Sequence, residues 1–195
     1  MAMGNHTRAS SSDSQAVLAY VANPDSYQTD VALLADAYSN DEDFRQEEIR
    51  WHSQTRRPSV ETQRLFGHEL NAHGSAGDYA VLMARLAQNG LSNGESSFLA
   101  RRYLEWPMVF ADNQTLFSNL GYKNGSMPGI LNTVYYAYPI GETAPIVVVL
   151  FYKDLPQHTY RDWRRNGLPH DEFARWLLIE PQAIPLLADL FSGNE

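Results

Sequence analysis

Gly121-Tyr122-Lys123-Asn124-Gly125-Ser126, then Met127-Pro128-Gly129, then Ile130-Leu131-Asn132-Thr133-Val134-Tyr135-Tyr136-Ala137-Tyr138 form the stretch whose character decides the fold class. β-branched and aromatic side chains crowd it, and Gly and Pro punctuate it, so it reads as two strands about a short turn. In the second strand Ile130, Asn132, Val134, Tyr136 and Tyr138 share one face, while Leu131, Thr133, Tyr135 and Ala137 share the other. Bulky groups occupy both faces, so both are expected to be covered. A third run, Pro145 to Lys153, has the apolar core Ile146 to Tyr152. The link from Pro139 to Ala144 is short enough for an antiparallel hairpin. One antiparallel sheet of three consecutive strands is the expectation.

Outward from that stretch the period changes from two to three or four. Val31, Leu34, Ala35 and Tyr38 recur at helical spacing after a start signal at Ser26, and Pro24 breaks what precedes them. The charged run from Asp41 to Gln54 reads as a surface helix, and Arg56-Arg57-Pro58 as a break. Ser59 opens an amphipathic stretch through Leu65, Phe66 and Leu70. Ser75 opens another, with the stripe Tyr79, Leu82, Met83 and Leu86 closed by Asn89-Gly90. A further helix runs from Asn93 to Trp106 and stops at Pro107. After Pro156 the chain returns to helix, with Phe173, Trp176 and Leu177 together and a last helix from Pro181 through Ile184, Leu187 and Phe191.

Helices, a strand meander and more helices make an α+β class, an antiparallel sheet flanked by helices. Residues 1–13 read as a flexible tail and 14–195 as a single α+β domain. Within it, 14–74 is mainly helical and 75–195 carries the sheet.

Composition narrows the function. The chain has 195 residues, 44% of them hydrophobic and 19% charged, the profile of an ordinary globular protein. A net charge of −8 gives no basic footprint for nucleic acid or an anionic membrane surface. Without cysteine there is neither thiolate chemistry nor a cysteine-ligated zinc. No apolar run reaches membrane-spanning length. Met1 to Asp13 is polar and Ser-rich and does not read as a signal peptide.

The stretch Lys123-Asn124-Gly125-Ser126, a Gly/Pro turn, a long aromatic strand, a third apolar strand and carboxy-terminal helices appear in a telling order. That order resembles the Lys-Thr-Gly element and the strands and helices after it in serine β-lactamases and penicillin-binding proteins, with Asn124 in the Thr place. The resemblance extends over roughly Ser75 to Phe191 and implies the β-lactamase/transpeptidase fold without its amino-terminal segment. It implies serine hydrolase chemistry through an acyl-enzyme on a β-lactam, amide or ester, with no cofactor. Lys123 would then hold a fixed positive charge near the substrate carboxylate, Ser126 would donate to it, and Gly125 would let the ligand approach the backbone. Taken alone, Asn124-Gly125 is also a strong turn dipeptide.

Three further features bear on that chemistry. The family's nucleophile lies in Ser-x-x-Lys, yet the only lysines are Lys123 and Lys153 and no Ser stands three residues before either. The chain is therefore expected either to be a fragment lacking the nucleophile or to be a reduced relative without acylation. Tyr38-Ser39-Asn40 matches the family's Tyr-x-Asn, making Tyr38 and Asn40 catalytic candidates; a helix ending in Ser-Asn before an acidic run reads the same way. Glu69-Leu70-Asn71 is similar to the Glu and Asn that position the deacylating water in class A β-lactamases. There the base Glu stands two positions earlier, at Gly67 here, so Glu69 is either a general base or a solvated helical carboxylate.

His68 and His73 have no companion acid at metal spacing, and the six histidines read as surface or interface residues. Trp106, Trp163 and Trp176 read as core or interface residues, and Arg161, Arg164 and Arg165 as a solvated helix face. The expected partner is a small β-lactam or peptide-like substrate, together with self-association through an exposed sheet edge. A non-catalytic module that keeps the Lys123–Ser126 sheet edge as a binding or interaction surface is the alternative.

Overall fold

The structure, a computed structural model, describes residues 14–54, 59–180 and 182–192. Two compact units divide the chain, Met1–His73 and Gly74–Glu195.

The first unit is helical: α1 (Ser14–Ala22), α2 (Pro24–Asn40), α3 (Glu42–Gln54) and α4 (Val60–Glu69). Sequence periodicity missed α1. It also put the start of α2 at Ser26, whereas the cap is Asn23, whose side chain accepts from the Ser26 amide at 3.3 Å, with Pro24 at the first helical position. Ser59 caps α4 as expected, accepting from the Thr62 amide at 3.0 Å. α1 packs on α4 and α2 on α3. The tail 1–13 and the break at 56–58 lie outside the described residues.

The second unit is α+β. α5 (Ala76–Ala87) and α6 (Gly94–Leu104) lead through a 3-10 turn, Trp106–Val109, and the short α7 (Ala111–Leu116) into the strands. These are β1 (Phe117–Met127), β2 (Ile130–Pro139) and β3 (Ile146–Tyr152), followed by α8 (Gln157–Arg165), α9 (Pro169–Ile179) and α10 (Ala183–Ser192). Strand order is β1-β2-β3, antiparallel throughout, as the short connections between the strands led one to expect. Pro128-Gly129 alone joins β1 to β2, since Met127 already pairs with Ile130. Gly129 has φ +84°, the left-handed value that the second central position of a Pro-Gly turn demands. Pro181, expected to open the last helix, lies outside the described residues.

Both faces of β2 are covered. On one, Val134 and Tyr136 meet Met83, Leu86 and Ala87 of α5. On the other, Tyr135 and Ala137 meet Ala174, Leu177 and Leu178 of α9, with Phe117, Leu120 and Val148. Each such aliphatic side chain contributes roughly 1.5–3 kcal/mol of transfer free energy. Ser75 caps α5 in a reciprocal box with Asp78, which explains why that helix starts so sharply.

Side-chain placement corrects some readings. Tyr79 and Leu82 were expected in the buried stripe of α5, yet they are 41% and 46% exposed while Met83 and Leu86 face the sheet. In α9 the buried set is His170, Ala174, Leu177 and Leu178, spaced four, three and one apart. Phe173 and Trp176 flank that face and stack on each other at 5.8 Å, rather than packing on the sheet. His170 is not a surface histidine but is 3% exposed. Trp106 is not a core residue, being 49% exposed.

Candidate functional site

β1 is an edge strand, and its cover is uneven. Phe117, Leu120 and Gly121 are buried, whereas Lys123, Asn124, Gly125 and Ser126 are all exposed. The four expected binding residues are thus the open stretch of the edge. Register assigns their faces: Lys123 pairs with Val134 and Gly125 with Asn132, on the α5 side of the sheet. Asn124 pairs with Thr133 and Ser126 with Leu131, on the α9 side. Strand geometry therefore presents a cation and a gap on one side, and an amide and a hydroxyl on the other.

The Lys123 ammonium donates to the neighbouring Asn124 carbonyl oxygen at 2.5 Å. Among the described residues no carboxylate pairs with it. In an acidic chain, that leaves a positive charge available to an anionic group. A Cβ at Gly125 would meet nothing nearer than the Asn132 Cβ at 4.0 Å, so nothing inside the unit requires glycine there. Gly121 differs: its Cβ would fall inside the Tyr136 ring.

The strand is anchored from behind. Tyr122 donates to Asp171 Oδ2 at 2.6 Å and Thr133 Oγ1 donates to Oδ1 of the same carboxylate. Asp171 belongs to the first turn of α9, where a helix favours negative charge. Burial, and next the bond to Asp171, holds the Tyr122 phenol well above its ordinary range, so it stays a donor. On the opposite face Tyr136 donates to Glu105 Oε1 at 2.7 Å, and Arg101 Nε donates to the same oxygen at 2.7 Å. Sequence reading missed both anchors, because each joins residues more than thirty positions apart.

Tyr38, Asn40 and Glu69 belong to the first unit and Lys123 to the second. Tyr38-Ser39-Asn40 forms the last turn of α2. Asn40 Nδ2 donates to Asp36 Oδ1 at 2.8 Å, Ser39 donates to the Ala35 carbonyl oxygen at 2.8 Å, and the Tyr38 carbonyl accepts from Arg45 at 2.7 Å. Glu69 is the exposed final residue of α4. Among the described residues no group of His, Asp or Glu is arranged to hold a metal ion. Nor, among them, is any helix long and apolar enough to cross a membrane.

Comparison with known protein-family models, curated proteins and solved structures finds no match to this chain.

Proposed function

We propose that the chain supplies the substrate-binding sheet edge of a β-lactamase-like serine hydrolase. Its kinship is with the class A β-lactamase and penicillin-binding protein superfamily, acting on a β-lactam, amide or ester through an acyl-enzyme. The observation that carries the reading is the continuous exposed stretch Lys123–Ser126 on an edge strand whose buried residues are Phe117, Leu120 and Gly121. An edge offers main-chain donors and acceptors to an extended amide or lactam. Lys123 attracts the ligand carboxylate, Ser126 and Asn124 supply polar contacts, and Gly125 keeps the backbone approachable. The serine nucleophile is not supplied by any Ser-x-x-Lys within these 195 residues.

That same observation favours a second reading, a binding module of this fold without catalysis. The reading frame upstream of Met1 separates them: a Ser-x-x-Lys there supports the enzyme, and its absence from an open frame supports the module.

Incubation of the 195-residue chain with a fluorescent penicillin tests the shared part of both readings. Mass spectrometry should find no covalent adduct, and titration should find weak reversible binding. Lys123→Ala should weaken that binding roughly fivefold at low salt, the scale of an exposed ion pair. Binding indifferent to Lys123→Ala would remove the functional reading of β1, and an adduct on any serine would refute the assignment of the nucleophile.

A further inference from the structure

β3 is the second edge of the sheet, and one side of its backbone pairs with no strand among the described residues. Its stretch Ile146 to Tyr152 carries no charge, Gly or Pro. Val147, Val149 and Phe151, on the α5 face, are only partly buried, as are Ile146 and Leu150 on the α9 face.

Both flanking helices present apolar side chains past this same edge. α6 packs against β1, whereas α5 packs against β2 and β3, so α5 is the outer helix on the β3 side. Tyr79 meets the Phe151 ring edge-on at 5.1 Å, and Leu82, three residues on, shares that flank. On α9, Asp171 reaches Tyr122 and Arg175 reaches Asn113, so one flank faces β1. Phe173 and Trp176 stand on the opposite flank, stacked on each other and 36% and 39% exposed.

The α5 flank is also self-complementary. Asp78, Leu82 and Arg85 follow at spacings of four and three, so they make one line along the helix, with opposite charges at its ends. Arg85 is exposed, and no carboxylate pairs with it among the described residues. A second α5 lying antiparallel beside the first sets each Asp78 against the Arg85 of the other copy. Tyr79 lies at Phe151, and the Ala87 carbonyl at Tyr138, next to the residue that pairs with Ile146. α5 thus runs antiparallel to β3 with Leu82 near its middle.

A lone strand from another protein would cover the β3 backbone and leave Tyr79, Leu82, Phe173 and Trp176 in water. The occupant must carry a sheet edge with an apolar helix flank on either face, as this unit itself does. Its strand runs about 23 Å. With a helix layer roughly 10 Å to either side, the strip covers on the order of 500 Å² per copy. Two copies then reach the ~1,000 Å² at which specific interfaces begin.

We propose that a second copy of this chain docks on β3, the two strands pairing antiparallel about a two-fold axis near Val149, with α5 against α5 and α9 against α9. The product is one six-stranded sheet with a β1 at each end. It stands apart from the reading of β1, since that edge stays free in both copies.

The chain has no cysteine, so single cysteines report on the contact. Opposed residues of an antiparallel pair stand about 4.5–5.5 Å apart, within reach of a disulfide. Val149→Cys under mild oxidation should give a covalent dimer, and Asn124→Cys on β1 should give far less. Sedimentation velocity of the full chain should show monomer and dimer and nothing larger, because a two-fold contact closes at two copies. Leu82→Glu sets like charges together at the axis and should raise the dissociation constant about tenfold or more. Arg85→Glu should raise it about threefold at low salt. Both residues are exposed in the single copy, so these variants serve where Val149→Cys unfolds. A monomer at every concentration, open-ended association, a folded Val149→Cys no more cross-linked than Asn124→Cys, or a dimer indifferent to Leu82→Glu would overturn the proposal.

Discussion

The Tyr122 hydroxyl and the Asp171 carboxylate meet at 2.6 Å across 49 residues of chain, joining the candidate binding strand to the first turn of α9. Thr133 donates to the other oxygen of that carboxylate, so a single side chain satisfies two hydroxyls from neighbouring strands. Asp171→Ala would leave both without an acceptor. Unsatisfied groups of this kind cost about 1–3 kcal/mol each, so a loss of roughly 2–4 kcal/mol is expected in urea denaturation. Asp171→Asn keeps one acceptor and should cost less; equal losses would show that charge, not acceptance, matters.

The two glycines of the strand should respond oppositely. Gly121→Ala drives a methyl into the Tyr136 ring, which is fully buried and held by Glu105. Overpacking of this kind costs about 1–3 kcal/mol, and the lack of room for the ring puts it at the upper end. Gly125→Ala meets open space and should leave stability within about 0.5 kcal/mol. Under the proposed function it should nevertheless weaken ligand binding. Thermal melts and titrations of the pair check both halves.

His170 gives the unit a pH dependence. It is stacked on Trp163 at 6.0 Å and lies edge-on to Tyr152 at 6.1 Å, and its Nδ1 has no hydrogen-bond partner among the described residues. Burial lowers its pKa below the ordinary 6.5, against the smaller opposing pull of Asp171. The unfolded chain therefore binds a proton that the folded one refuses. This contribution to stability is complete above 6.5 and is lost as pH falls from there toward the folded value. His170→Phe should flatten the melting temperature over that window, and an unchanged slope would refute it.

β3 is the other edge of the sheet, and Ile146 to Tyr152 contains no charge, Gly or Pro to discourage pairing. Self-association that rises with concentration is expected in sedimentation velocity. Val147→Lys should reduce it, because a charge on an edge strand opposes a second strand. A monomer at every concentration would show the edge to be covered.

Alternation and capping, which act locally, were the legible part of the sequence. The strands at Ile130 to Tyr138 and Ile146 to Tyr152, the caps Ser59, Ser75 and Asn93, and the two covered faces of β2 all come from short-range pattern. The exposed run Lys123–Ser126 was legible only as a motif, since burial along β1 depends on where the flanking helices end. His170 and Trp106 went the other way. Rings of Tyr152 and Trp163 cover His170, whereas Trp106 meets Phe110 and Tyr122 only edge-on and stays half exposed, and no local spacing announces either arrangement. α1 was missed because Pro24 looked like a boundary to its left, when it is the opening residue of the next helix.

The two-residue turn at Pro128-Gly129 has a kinetic consequence. Every strand of the sheet pairs with its sequence neighbour, so the loops that must close are short and the entropy lost in closing them is small. Sheets of that topology are among the quicker to form. The strand bearing Lys123 should therefore register against β2 early during refolding. The clamp by Asp171 waits for a helix 38 residues beyond Thr133, so it would act as a late latch, slowing the unfolding of the edge more than it hastens its assembly.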